Sequence, residues 1–66
     1  MRLTVNGEAR NVDGVLDIAG LIDTLGLDCR KVAVEHNLYI VPRAAYGSTA
    51  LADGDRIEIV HFIGGG

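Results

Sequence analysis

The 66-residue sequence has few of the residues that often stabilise small proteins, namely cysteine, proline and the aromatic residues. It has one cysteine, one proline, no tryptophan, two tyrosines and one phenylalanine. A single cysteine excludes an intrachain disulfide, and neither His36 nor His61 has a second ligand at metal-binding spacing, so no metal site is expected. Because a chain of this length buries only about 60% of its unfolded surface, the fold depends on a small apolar core.

Basic residues are also scarce, with six Lys and Arg against nine Asp and Glu and a net charge of -3. The six are spread along the sequence, as Arg2, Arg10, Arg30, Lys31, Arg43 and Arg56. Nucleic-acid-binding proteins usually carry a clustered basic patch, so nucleic acid is not expected as a partner. The acidic segment 11–29 is either a solvated helix face or a docking surface for a basic partner.

Long apolar runs are absent too. No stretch approaches the ~20 apolar residues that span a bilayer, and no signal-peptide pattern follows Met1. We therefore expect no membrane association and a cytoplasmic location.

The first half of the chain predicts a hairpin and a helix. Met1, Leu3 and Val5 alternate with polar residues as in a strand, and Asn6-Gly7 is a strong hairpin signal because both turn positions need positive φ. Residues 8–12 form the returning strand. Asp17 is the predicted N-cap of one helix, and Gly26 suits its C-terminal end. The apolar stripe of this helix is Ile18, Leu21, Ile22 and Leu25.

The second half predicts three further extended segments. They are residues 32–34, residues 40–41 before Pro42, and residues 57–63; a turn at 35–38 and a loop at 43–56 separate them. This order favours an α+β domain in which one helix packs on one face of a mixed four- to five-stranded sheet. We expect a single domain over residues 1–63, followed by a flexible C-terminal glycine tail at 64–66.

The glycine tail is the most unusual part of the sequence. Three glycines form a thin thread, and the four residues from Ile63 to Gly66 extend ~13 Å at about 3.3 Å per residue. An unhindered carboxylate at Gly66 suits insertion into a narrow active site of another protein. The alternative from the tail alone is a frayed end without a function.

The strand before the tail predicts a docking patch. Ile57, Ile59, His61 and Ile63 share one face of this strand, whereas Glu58, Val60 and Phe62 share the other. If the first face meets the helix, Val60 and Phe62 are exposed beside the tail and available to a partner. The alternative is that Phe62 folds over the sheet edge. No catalytic motif is present, and a sheet of this size has little room for a cleft of ~300 Å³, so an autonomous enzyme is not expected.

Three motifs carry a resemblance to a known family. Asn37-Leu38-Tyr39-Ile40-Val41-Pro42-Arg43, the segment from Asp53 to Ile59 and the diglycine Gly65-Gly66 together resemble the ThiS sulfur carriers of thiamine biosynthesis. The resemblance covers the whole chain and implies a ubiquitin-like β-grasp fold. It also implies a protein co-substrate rather than an enzyme, with no bound cofactor of its own.

The resemblance assigns a role to each tail residue. An adenylating enzyme related to ubiquitin-activating enzymes would use ATP to adenylate the carboxylate of Gly66, while Gly64 and Gly65 line its channel. Sulfur from a persulfide donor would then leave a thiocarboxylate, and thiazole synthase would take that sulfur. One alternative is the small subunit of molybdopterin synthase, although His61-Phe62-Ile63 stands where that family tends to carry Pro-Pro. The other is a ubiquitin-like interaction module whose tail is inert.

Overall fold

One mixed five-stranded sheet covered by a single α-helix makes up the computed structural model, which describes residues 1–62. The elements are β1 (Arg2–Val5), β2 (Glu8–Asn11), α1 (Ile18–Thr24), β3 (Val32–His36), β4 (Tyr39–Val41) and β5 (Arg56–His61). The strand order is β2-β1-β5-β3-β4, in which β1 and β5 are parallel and the other neighbours antiparallel. The predicted α+β class is therefore confirmed.

The β1–β2 hairpin turns at the predicted dipeptide. Asn6 and Gly7 have φ values of 50° and 82°, the left-handed conformations that this turn requires. All four residues of β2 are exposed, and the first buried residue after the turn is Val12. β2 therefore forms an outer edge of the sheet and contributes little to the core.

The helix begins and ends where its capping residues predict. The Asp17 carboxylate accepts a hydrogen bond from the Gly20 N–H at 2.8 Å, and Gly26 follows the C-cap with φ of 72°. A Cβ at Gly20 would lie 3.3 Å from the same Asp17 oxygen, so glycine leaves room for the cap. Within residues 1–62 no helix is long and apolar enough to cross a membrane.

The core lies between α1 and the face of the sheet that the helix covers. Its fully buried side chains come from the helix and the three inner strands: Leu3, Ile18, Leu21, Ile22, Val32, Val34 and Ile57. Ile59 packs partly against this cluster. The predicted orientation of β5 is therefore confirmed for Ile57 and Ile59.

The region after the helix differs from the sequence prediction in two places. β3 continues through His36, so the turn to β4 narrows to Asn37 and Leu38, with φ of 50° and 76°. The predicted loop 43–56 contains a short 3₁₀ turn, Arg43–Ala45, and buries Tyr46, whose hydroxyl donates to the Val32 carbonyl at 3.1 Å. Ile63, predicted as the end of the last strand, lies outside the described residues.

Candidate functional site at the base of the tail

The last residue that the structure describes is Phe62, immediately after β5. Gly64, Gly65 and Gly66, the predicted tail, lie outside the described residues, and their assigned roles stay predictions. The base from which the tail departs is described in full. It consists of the end of β5 and the chain segment that pairs with it.

The end of β5 is held by a turn that we call the clamp turn, residues 28–31. The Phe62 N–H donates to the Lys31 carbonyl at 2.8 Å, one step beyond the β3–β5 pair of Val32 and His61. The Lys31 N–H in turn donates to the Asp28 carbonyl at 2.9 Å. The chain is thus fixed by backbone hydrogen bonds as far as Phe62.

Side chains brace the clamp turn from two directions. The Asp28 carboxylate accepts from the Arg30 backbone N–H at 2.9 Å and from its guanidinium at 3.1 and 3.0 Å. These hydrogen bonds from Arg30 lower the pKa of Asp28 to about 2. From the other side, a guanidinium N–H of Arg43 donates to the Arg30 carbonyl at 3.0 Å. Cys29 also belongs to this turn and is exposed.

The sheet face opposite the helix carries the predicted apolar residues. Val60 is 62% exposed and Phe62 is 53% exposed, so Phe62 is not buried at the sheet edge. Ile40 lies on the same face, because it pairs with Glu35, which pairs with Glu58. We call Ile40, Val60 and Phe62 the outer patch. Its exposure confirms the predicted strand orientation, whereas its binding role stays a prediction.

Two carboxylates separate the members of the outer patch. Glu35 and Glu58 are direct cross-strand partners, and like charges in this arrangement repel. Arg56 lies 3.7 Å from Glu58 and compensates part of that charge. A small notch of about 110 Å³ lies here, lined by Ala33, Val34, Glu35, Ile40, Glu58 and Val60.

Sequence reasoning missed Ile40, which is 80% exposed and is the most exposed member of the outer patch. We interpreted Ile40–Val41 only as an extended segment, without assigning its two faces. The available signal was period-2 alternation from Val41, which is buried, to its neighbour Ile40.

The helix-side face of the sheet has a larger open groove of about 380 Å³. It is lined by Val5, Asn6, Glu8, Arg10, Leu25, Leu27, Ile59 and His61. The expectation of little room for a cleft of this size was therefore wrong, because a groove lies open between the β1–β2 hairpin, the end of the helix and β5. Among residues 1–62, no group of three or more His, Cys, Asp or Glu side chains could hold a metal.

The opposite end of β5 is fixed by a polar network around Asp55. Its carboxylate contacts His36 Nε2 at 2.7 Å and accepts from the Ala52 N–H at 2.9 Å and the Asn37 amide at 3.1 Å. Partial burial by itself would raise the pKa of Asp55, but these hydrogen bonds outweigh it and hold that pKa below its ordinary value.

Comparison with known proteins identifies the family. A model of the ThiS family matches residues 3–66, nearly the whole chain. The chain belongs to the ThiS family. A crystal structure of a thiamine biosynthesis protein (ThiS) from Geobacter metallireducens matches this ThiS-family chain with a TM-score of 0.85 and 39% identity, over 100% of both chains. The predicted ubiquitin-like β-grasp fold is therefore confirmed.

Two curated relatives of this ThiS-family chain carry functional names. The sulfur carrier protein ThiS of Bacillus subtilis is 43% identical over 49 residues, which cover 74% of each protein. A thiazole synthase of Paramagnetospirillum magneticum is 53% identical over all 66 residues. The chain spans only about one fifth (20%) of that thiazole synthase.

Proposed function

We propose that this chain is a sulfur carrier of thiamine biosynthesis whose carboxylate at Gly66 is converted to a thiocarboxylate. The observation that carries the proposal is the ThiS-family match over residues 3–66, which includes the diglycine Gly65-Gly66. The name of the Bacillus subtilis relative supports the carrier role. The thiazole synthase relative supports thiazole synthase as the acceptor of the sulfur.

The chemistry requires activation because a carboxylate is a poor electrophile at neutral pH. An adenylating enzyme would join the carboxylate to AMP from ATP and release pyrophosphate. A persulfide donor would then attack the acyl carbon and expel AMP, which leaves an acyl disulfide. A thiol reductant would cleave that sulfur–sulfur bond and release the thiocarboxylate, and the thiol and donor would end as a mixed disulfide. In this scheme the carrier itself supplies only the reacting terminus.

The base of the tail supports this role mechanically. The Phe62 N–H is bonded to the clamp turn, so the folded domain is fixed up to that residue. Four residues follow Phe62 in the sequence and extend about 13 Å at most. A partner that binds the outer patch would therefore receive Gly66 within that distance of Phe62.

Mass spectrometry tests the proposal. The purified chain is incubated with ATP, an adenylating enzyme already active on its own ThiS protein, a persulfide donor and a thiol reductant. We expect a mass gain equal to the exchange of one oxygen for one sulfur. The proposal needs Gly66 to end the mature protein, so the intact mass of the protein from its native cell is measured first.

A matched variant separates the carrier from an interaction module with an inert tail. One alanine added after Gly66 leaves the domain unchanged but removes the glycine carboxylate. We expect this variant to bind the adenylating enzyme and to show no mass gain. An unchanged mass of the wild-type chain with a competent enzyme, or a longer native protein that continues past Gly66, contradicts the proposal.

A further inference from the structure

Half of the chain's basic residues gather at the base of the tail, although the sequence spreads them apart. Arg30 and Lys31 belong to the clamp turn, and Arg43, 13 residues after Arg30, reaches its carbonyl at 3.0 Å. The Lys31 carbonyl accepts the hydrogen bond from Phe62 at 2.8 Å. A chain with a net charge of -3 thus places three cations where its tail departs.

Two of these three cations have no acidic partner within residues 1–62. Arg30 is paired with Asp28 at 3.0 Å, so its charge is compensated locally. Lys31 and Arg43 are exposed and form no salt bridge in the described part of the chain. Arg43 uses one guanidinium N–H for the Arg30 carbonyl and has further donors available. We call Lys31 and Arg43 the basic collar.

The basic collar borders the outer patch. Phe62, which is half exposed, is bonded through its backbone to Lys31, and Val60 pairs with Ala33 two positions further along β3. An apolar centre with a charged rim is the usual composition of a transient protein interface, in which the rim steers association. The charge that complements this rim is negative.

We propose that the basic collar docks against acidic side chains that surround the tail-accepting site of thiazole synthase. The inference rests on the proposed function, because it takes thiazole synthase as the protein that receives the tail. It is favoured by length: Gly66 lies at most about 13 Å beyond Phe62, so the surface around its binding site must approach Lys31 and Arg43. It is favoured by charge, since Lys31 and Arg43, which form no salt bridge within residues 1–62, attract carboxylates on the partner.

Titration of thiazole synthase from the same organism with the unmodified full-length chain tests this inference. The variant Lys31→Gln removes one collar charge without removing a side-chain hydrogen bond or salt bridge within residues 1–62. The matched control is Arg2→Gln, since Arg2 is exposed at the start of β1, at the end of the sheet away from the tail. Both variants change the net charge equally, so only the position of the charge differs.

We expect Lys31→Gln to raise the Kd about two- to fivefold at low salt, and Lys31→Gln with Arg43→Gln to raise it further. We expect Arg2→Gln to leave the Kd unchanged. The difference between wild type and Lys31→Gln should shrink at an ionic strength of about 0.5 M, because salt screens exposed charges.

Three results would overturn the inference: no binding of the wild-type chain, equal Kd values for Lys31→Gln and Arg2→Gln, or an effect seen only with the adenylating enzyme. None of them depends on the sulfur exchange. If the chain gains sulfur but its Kd for thiazole synthase does not depend on Lys31 and Arg43, only this inference is refuted. If removal of the collar charges raises the Kd but the wild-type chain never gains sulfur, only the proposed function is refuted.

Discussion

Two asparagines at left-handed turn positions each serve the strand that leads to the tail. Asn6 binds the backbone of Ile59 twice, accepting from its N–H at 2.7 Å and donating to its carbonyl at 3.2 Å. Asn37 accepts from the Arg56 N–H at 2.9 Å. Each side chain thus bonds β5 on the side where one neighbouring strand has ended, which is β1 at Ile59 and β3 at Arg56. Asparagine combines tolerance of positive φ with an amide that mimics a peptide group.

The variant Asn6→Gly separates these two properties. Glycine keeps the positive φ but loses both hydrogen bonds to Ile59, so we expect the free energy of unfolding to fall by about 1–2 kcal/mol. Urea denaturation measures it, with a lower midpoint at an unchanged slope. The control is Leu38→Gly at a second left-handed position, where an exposed leucine makes no such bonds. Equal losses in both variants would contradict the role of the Asn6 amide.

Asp55 makes stability depend on pH in the acid range. Its pKa in the folded state lies below its ordinary unfolded value of about 3.9, so its stabilising contribution is complete above that value. The contribution is lost as the pH falls through the folded pKa. We therefore expect Asp55→Asn to be less stable than wild type at pH 7, with a difference that shrinks as the pH falls below about 3.9. Urea midpoints across this range measure it, and a constant difference would refute the assignment.

The helix, the β3–β4 turn and the basic collar show how far the structure can be predicted from this sequence. Asp17, Gly26 and the apolar stripe predict α1 closely, because capping and periodicity are local signals. The β3–β4 turn was predicted too wide, because Glu35 and His36 are polar residues with weak strand preference that nevertheless belong to β3. The basic collar could not be predicted, because tertiary contacts bring Lys31 and Arg43 together.

The helix is the element that closes the core, so its packing controls stability. Leu21 is fully buried, and we expect Leu21→Ala to lower the free energy of unfolding by about 2–5 kcal/mol. The free energy of unfolding of native proteins is about 5–15 kcal/mol, and a domain this small is expected near the lower end of that range. The variant should therefore be partly unfolded at room temperature. Circular dichroism during urea unfolding measures it. Leu16→Ala is the control, because Leu16 is exposed and its loss should cost less than about 0.5 kcal/mol.

At the scale of the whole molecule, one face of the sheet is buried and the other is exposed. The face under α1 holds the core, whereas the outer patch shares its exposed face with Glu35 and Glu58. The sheet can expose these apolar side chains because the helix, together with loop residues such as Tyr46, supplies the buried contacts on its other face. Stability and partner binding can therefore be changed by separate substitutions.

Phe62→Asp tests that separation. We expect the KM for adenylation to rise at least about fivefold, because a buried interface aromatic is often worth more than 1 kcal/mol of binding. The urea midpoint should barely change, since the side chain is half exposed. The control is Tyr39→Asp, an exposed aromatic at the far end of the sheet that pairs with His36. Unfolding of the Phe62 variant would make Phe62 a core residue and refute the patch.

The central position of β5 has a consequence for how the protein is made. β5 pairs with both β1 and β3, yet it is the last of these five strands to be synthesised. A nascent chain that stops before Arg56 has two separate strand pairs without the strand that joins them, and unpaired edges of that kind are prone to aggregation and degradation. The sheet can therefore be completed only after β5 has been translated. β5 ends five residues before Gly66, so chains that fold are those in which synthesis has nearly reached the glycine tail.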